Sequence, residues 1–135
     1  MKNITDLIRG WIRKAESDLE NARMCAQCGK ALDTACFHAQ QAAEKYLKAY
    51  LTARSLAFPF VHNLEKLIEI CSESDPDFSS VKSLGADLTP YAVELRYDDE
   101  FWPDITTVRH ALDAALAIKE FVLMRLPSDT ADRES

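Results

Sequence analysis

The stretch Ala35-Cys-Phe-His-Ala-Gln-Gln-Ala-Ala-Glu-Lys-Tyr-Leu-Lys-Ala-Tyr-Leu51 decides the fold. Projected at about 100° per residue, Ala35, Ala39, Ala42, Ala43, Tyr46, Leu47, Ala49, Tyr50 and Ala53 gather on one broad apolar face. His38, Gln41, Lys45, Lys48 and Thr52 fall into a polar stripe on the other side. The alanines let a neighbouring helix approach closely. Gln40 and Glu44 lie between the two faces, where a bundle would partly bury them, and a buried carboxylate requires a cation or several donors. Asp33 is the expected N-cap, and the helix should reach about Arg54.

Working outward, the same periodicity recurs on both sides. Leu7, Ile8, Trp11, Ile12, Ala15, Leu19, Ala22 and Ala26 form the apolar stripe of a first helix from a cap at Thr5 to about Cys28, with Lys14, Glu16, Asp18 and Glu20 as its wet side. Gly29 is its natural C-terminal cap. After Pro59 a shorter helix follows, with Leu64, Leu67, Ile68 and Cys71 inward, and then a polar stretch, Ser72 to Ser80, reads as loop. A fourth helix should bury Val81, Leu84, Leu88, Tyr91 and Leu95, kinked or split at Pro90. Arg96 to Pro103 is an acidic, aromatic connector, and a last helix from Asp104 to Arg125 carries the seam Ile105, Val108, Leu112, Ala115, Ile118, Val122 and Leu126. Pro127 stops it. The expectation is an all-α, up-and-down bundle of four to five helices in one domain over residues 1–126, with a flexible tail over 127–135.

Bulk properties agree. Only three glycines in 135 residues, and no sustained strand-like alternation, favour long helices. A net charge of −6 is repelled by phosphate backbones, so nucleic acid is not the expected main partner. No run of about 18 apolar residues offers a membrane span, and no signal-peptide block opens the chain. A cytoplasmic protein with reduced cysteines is expected.

Candidate sites are few. Cys25, Cys28, Cys36 and His38 could together present four zinc ligands, but the first pair ends one helix and the second lies inside another, so core packing is the better account and no metal or cofactor is expected. The stripe of His38, Gln41, Lys45 and Lys48 is either a solvated helix face, helped by the Glu44–Lys48 pair, or a cationic groove for a nucleotide phosphate or an acidic partner. His62 caps the third helix or bonds a neighbour, and Arg96 pairs with the acidic run beside it or reaches Glu44 as a bidentate bridge. Glu44 and His62 are thus structural polar residues. No phosphate loop, zincin motif or nucleophile elbow is present in the sequence.

The Ala35–Leu51 segment resembles the signature helix of HEPN domains. Lys14-Ala15-Glu16-Ser17-Asp18-Leu19, His62-Asn63-Leu64 and Arg96-Tyr97 agree with it in order, so the resemblance covers the chain to about residue 125. It implies a four-to-five-helix bundle, a homodimer, and a place beside a minimal nucleotidyltransferase, sometimes as a toxin–antitoxin pair; the family name reflects a proposed nucleotide-binding role. RNA-cleaving members carry Arg, four to six residues, then His. Here Arg96 meets Phe101, Trp102 and Pro103 in that window, and Arg54 reaches His62 only after seven. The reading is therefore a non-catalytic binding and assembly partner of a minimal nucleotidyltransferase, with nucleotide or partner contacts at His38, Gln41, Lys45, Lys48 and Arg96. The alternatives are a ribonuclease or toxin with a non-standard active site, and a purely structural dimerisation module.

Overall fold

A computed structural model describes residues 2–128 and 130. Five helices follow one another: α1 (Ile4–Cys28), α2 (Leu32–Ala53), α3 (Leu64–Ser74), α4 (Lys82–Leu88) and α5 (Ile105–Leu123), with no strand among the described residues. Contacts between α1 and α2 run in opposite directions along the two helices: Asp18 meets His38 and Lys45, Glu16 meets Tyr46, and Trp11 meets Lys48. The pair is therefore an antiparallel hairpin. Its connection is only three residues long, and two of them, Gly29 (φ 68°) and Ala31 (φ 53°), are left-handed. Gly29 adopts this conformation without steric cost and sends its N–H back to the Cys25 carbonyl at 2.9 Å.

That tight reversal overrides the expected cap at Asp33. Helical geometry resumes directly after Ala31, which has no side-chain cap, so Asp33 falls in the first turn, where its charge suits the helix N-terminus. The cap of α1 is likewise Asn3, whose Oδ1 accepts from the Asp6 N–H at 2.8 Å, and not Thr5. Asn63 caps α3, and Asp104 caps α5 as expected.

Two further differences lie in the second half. Within the expected loop, Pro76–Val81 forms a 3-10 turn that buries Phe78, stacked 4.5 Å from the Tyr50 ring and 4.8 Å from Phe121. One aromatic among serines and aspartates leaves no periodic trace in the sequence, yet its burial closes the side of the bundle. The fourth helix ends at Leu88; Thr89–Tyr91 forms a single 3-10 turn and the chain winds through further turns to Tyr97. Pro90 has no N–H to continue the helix. Where α4 crosses α3, a Cβ on Gly85 would sit 2.6 Å from Ile68 Cδ1 and 3.2 Å from Leu64 Cβ, so glycine sets the spacing.

Helix α2 is the axis. None of its residues from Ala35 to Ala53 is exposed, and it packs against α1, α3 and α5. Ile8, Ile12, Ala15, Leu19 and Ala22 of α1 and Val108, Ala115, Ile118 and Val122 of α5 close on it. Leu7, expected inside, is 47% exposed at the first turn of α1. No described helix is long and apolar enough to cross a membrane. Of the expected tail, Pro127, Ser128 and Thr130 are described and form a turn, and the remainder lies outside the described residues.

Candidate functional site

Because α2 is enclosed, its polar residues are drawn into the α1–α2 seam and into contact with the α2–α3 connection. They organise around two carboxylates. Asp18 of α1 is buried (7% exposed) and takes His38 Nδ1 at 2.8 Å and Lys45 Nζ at 2.5 Å, two groups spaced two helical turns apart on α2. A carboxylate only accepts, so Nδ1 carries the imidazole proton and Nε2 is left as an outward acceptor. Further along the seam, the Tyr46 hydroxyl donates to Glu16, which also pairs with Lys119 of α5 at 2.9 Å.

The second carboxylate is Glu44, whose side chain is 3% exposed. It receives Lys48 Nζ at 2.9 Å, His62 Nδ1 at 3.0 Å and Gln40 Nε2 at 3.3 Å. Gln40 also donates to the His62 carbonyl at 2.9 Å and accepts from Gln41 at 2.8 Å, so its amide is fully used. The Lys48 ammonium lies 5.4 Å from the Trp11 ring centroid and 5.8 Å from that of Phe58. Burial alone would push the Glu44 carboxyl up, but hydrogen bonds from Lys48 and His62 and the Lys48 charge outweigh it, holding the group below its ordinary value.

The polar stripe is therefore not the solvated cationic face that periodicity implies. Lys48 is buried, Lys45 is half-buried on Asp18, and Gln41 is spent on Gln40. Asp18–Lys45 and Glu44–Lys48 each balance one positive with one negative charge, so the two lysines offer little free charge to a phosphate. His62 does not cap α3 but spans to Glu44, one of the two roles expected of it. Arg96 makes no bridge to Glu44. Because the chain leaves helical geometry after Leu88, Arg96 emerges over the Phe37 ring at 4.3 Å, stacks on Tyr97 at 5.1 Å, and donates to the Tyr97 hydroxyl at 2.8 Å. No carboxylate among the described residues lies within ion-pair reach of it. The Phe37 ring also meets His38, at 5.4 Å between centroids, so Arg96 and His38 flank one aromatic.

Asp18 is the site residue that sequence reasoning missed, having been placed on the wet side of α1. A signal was present: 15, 18, 19 and 22 fit the inward spacing of an amphipathic helix, so an aspartate there is inside and requires a cation. The Cys25, Cys28, Cys36 and His38 grouping is not assembled: His38 turns to Asp18, and Cys36 is buried in the core, its thiol pushed up to about 12 by burial and by nearby Asp33. No three His, Cys, Asp or Glu side chains among the described residues are placed to hold a metal.

Beside the Glu44 cluster, a cleft of about 420 Å3 opens between the α2–α3 connection and the end of α4. Phe60, Val61, Pro90 and Val93 make its walls apolar, while His62 and Glu94 add polar side chains to the lining. Chemically, the two clusters orient imidazoles and lock helices. Among the described residues neither sets a hydroxyl or thiol nucleophile against its imidazole.

The HEPN domain family model matches residues 8–126. Two solved structures share the architecture. An archaeal HEPN homologue, ST0689, is 24% identical with a TM-score of 0.70, covering 94% of this chain and 100% of its own. The protein TT1696 from Thermus thermophilus is 26% identical with a TM-score of 0.74, covering 88% of this chain and 98% of its own. No curated protein matches the chain. A family model spanning α1 to the end of α5, on a bundle whose α2 lies at its axis, leads to one conclusion: the chain belongs to the HEPN domain family.

Proposed function

We propose that this chain is a non-catalytic HEPN-domain protein that acts by assembly, as the binding partner of a minimal nucleotidyltransferase protein. The observation that carries this reading is the internal neutralisation of the polar helix: Asp18 holds His38 and Lys45, and Glu44 holds Lys48 and His62. Lys45 and Lys48, committed to buried or half-buried carboxylates in this way, fix helices in place and leave little positive charge free for a substrate. The missing Arg-x4–6-His spacing supports the same reading. A nucleotide would be met where cationic or hydrogen-bonding groups still reach solvent, at Arg96 and His38 around the Phe37 ring.

Co-expression with a candidate minimal nucleotidyltransferase protein, followed by co-purification and titration calorimetry, tests the assembly. Calorimetry with nucleoside mono- and triphosphates, with and without that partner, tests the nucleotide contact; no heat in either setting removes it. Incubation with single-stranded and structured RNA tests the enzyme alternative. Cleavage that disappears on His62→Ala or His38→Ala would replace the assembly reading with catalysis.

A further inference from the structure

The cleft of about 420 Å3 beside the Glu44 cluster has walls held by bonds that can be named. In the α2–α3 connection, the Val61 N–H returns to the Pro59 carbonyl at 3.0 Å. His62 is tied to α2 twice, its Nδ1 to Glu44 at 3.0 Å and its carbonyl to the Gln40 amide at 2.9 Å. After α4, the Ala92 N–H bonds to the Thr89 carbonyl at 3.2 Å, and the Leu95 N–H to that of Pro90 at 2.8 Å. The Leu64 N–H joins the two segments by donating to Thr89 Oγ1 at 3.1 Å. A mostly apolar concavity with a few fixed polar groups is the usual form of a small-molecule site.

The polar groups left over in that lining are acceptors. Glu94 has no ion-pair or hydrogen-bond partner among the described residues. The His62 ring faces the Glu44 carboxylate, itself 3% exposed, through Nδ1, which leaves Nε2 as the acceptor of the neutral imidazole. None of the nine lining residues is a lysine or an arginine. The Phe60 ring is exposed at 104% of its reference area, and the face of an aromatic ring attracts a cation. A carboxylate, a lone-pair nitrogen and an open ring face all favour a positively charged donor, and all disfavour an anion. We propose that the cleft is a binding site for a small organic ammonium ion, a primary amine carried on a short aromatic or aliphatic body. The body lies against Phe60, Val61 and Val93, and the ammonium donates to Glu94 and to His62 Nε2. This ligand is opposite in charge to a nucleotide. Neither Arg96 nor His38 lines the cleft, so the amine site is separate from the nucleotide contact proposed around Phe37.

Nitrogen–proton correlation NMR of the intact chain tests this, by titration with phenethylammonium, phenethyl alcohol and phenylpropionate. The three probes carry a phenyl group on a short chain with a positive, a neutral or a negative end. At about pH 7.5 an ordinary imidazole is mostly neutral. Phenethylammonium is expected to shift amides of residues 60–63 and 89–94 and to saturate with a Kd on the order of 1 mM, as suits so small a ligand. It should bind about 5- to 10-fold more tightly than the alcohol, the range of an exposed ion pair with one added hydrogen bond. Phenylpropionate should not saturate. Glu94→Gln, at an exposed residue outside both polar clusters, should weaken the ammonium about 5-fold and leave the alcohol unchanged. Phe60→Ala should weaken ammonium and alcohol together. Unshifted amides elsewhere in each variant show that the bundle is intact. Absence of saturable shifts at the cleft with phenethylammonium overturns the proposal. Equal affinity for the three probes overturns it too, as do shifts centred on Phe37 and Arg96, or a Glu94→Gln variant that weakens alcohol as much as ammonium. Nucleotide and nucleotidyltransferase binding are read separately, by calorimetry and co-purification, so either reading can fail without the other.

Discussion

Substituting Glu44 with glutamine removes the charge at the centre of the bundle while nearly conserving the shape of the side chain. In the native protein Glu44 and Lys48 are 3% and 9% exposed, so neither ion can recover its hydration after losing the other. Breaking a buried pair by removing one charge costs about 3–5 kcal/mol. Two features lower that figure here. An amide oxygen in the Oε2 position still accepts from Lys48, retaining roughly half of that charge-assisted bond, while the NH2 takes the Oε1 position facing His62 and Gln40. The Trp11 and Phe58 rings also face the orphaned ammonium, contributing about 1 kcal/mol. The expected net loss is about 3 kcal/mol, a large share of the 5–15 kcal/mol typical of a whole domain. For a chain of this length that corresponds to a fall in melting temperature of about 10–15 °C. Urea unfolding followed by circular dichroism measures it. Lys48→Met alone and the double variant complete a cycle, in which the double variant should lose less than the sum of the singles by about 2 kcal/mol. The pH dependence gives an independent check. The Glu44 carboxyl is lower in the folded chain than its ordinary value of 4.5, so its contribution is complete above that pH and is lost as pH falls through the folded value. The stability gap between wild type and Glu44→Gln should therefore narrow on acidification below about 4.5. A loss under about 0.5 kcal/mol at pH 7, or a gap that stays constant to pH 3, would refute the reasoning.

The remaining predictions concern packing. Titration of the native protein with a thiol reagent should modify Cys28 fast and Cys25 more slowly, while Cys36 and Cys71, buried and with thiols pushed up to about 12, should react only at the rate of unfolding. Rapid modification of all four would show that the core is open. Phe78→Ala should cost about 3–5 kcal/mol in urea unfolding, because the ring fills the space between Tyr50 and Phe121; a loss under 1 kcal/mol would mean that Pro76–Val81 is an ordinary surface loop. Asn63→Ala should cost about 1 kcal/mol through the lost cap of α3, and Asn63→Gly only a few tenths, a ranking that unfolding curves would resolve.

Much of the fold was legible because α1, α2 and α5 are long enough for their periodicity to speak for itself. The inward positions Leu64, Leu67, Ile68 and Cys71 of α3 were read correctly for the same reason. What stayed hidden were the short pieces. The 3-10 turn around Phe78 and the winding segment after Leu88 have no repeat for a pattern to grip. The polar clusters were legible in most of their members, Asp18 excepted, and not in their pairing. Glu44, Lys48, His62, His38 and Lys45 all stand out in the sequence, but amphipathic projection assigns a lysine to water, whereas Lys48 lies against Trp11 beneath the following loop. Projection of a single helix cannot reveal that a second layer covers its polar side. Burial of Asp18 follows from the same fact seen from α1.

That α2 has no exposed residue between Ala35 and Ala53 bears on how the chain comes apart. An axial helix cannot fray into solvent while its neighbours stay in place, so its amide protons should exchange with deuterium only when the entire bundle opens. Peeling α5 away, or deleting it, would strip the axis along one side and expose buried residues of α2. The described helices are thus expected to open as one cooperative unit, and the slowest-exchanging amides of α2 should report its global free energy directly.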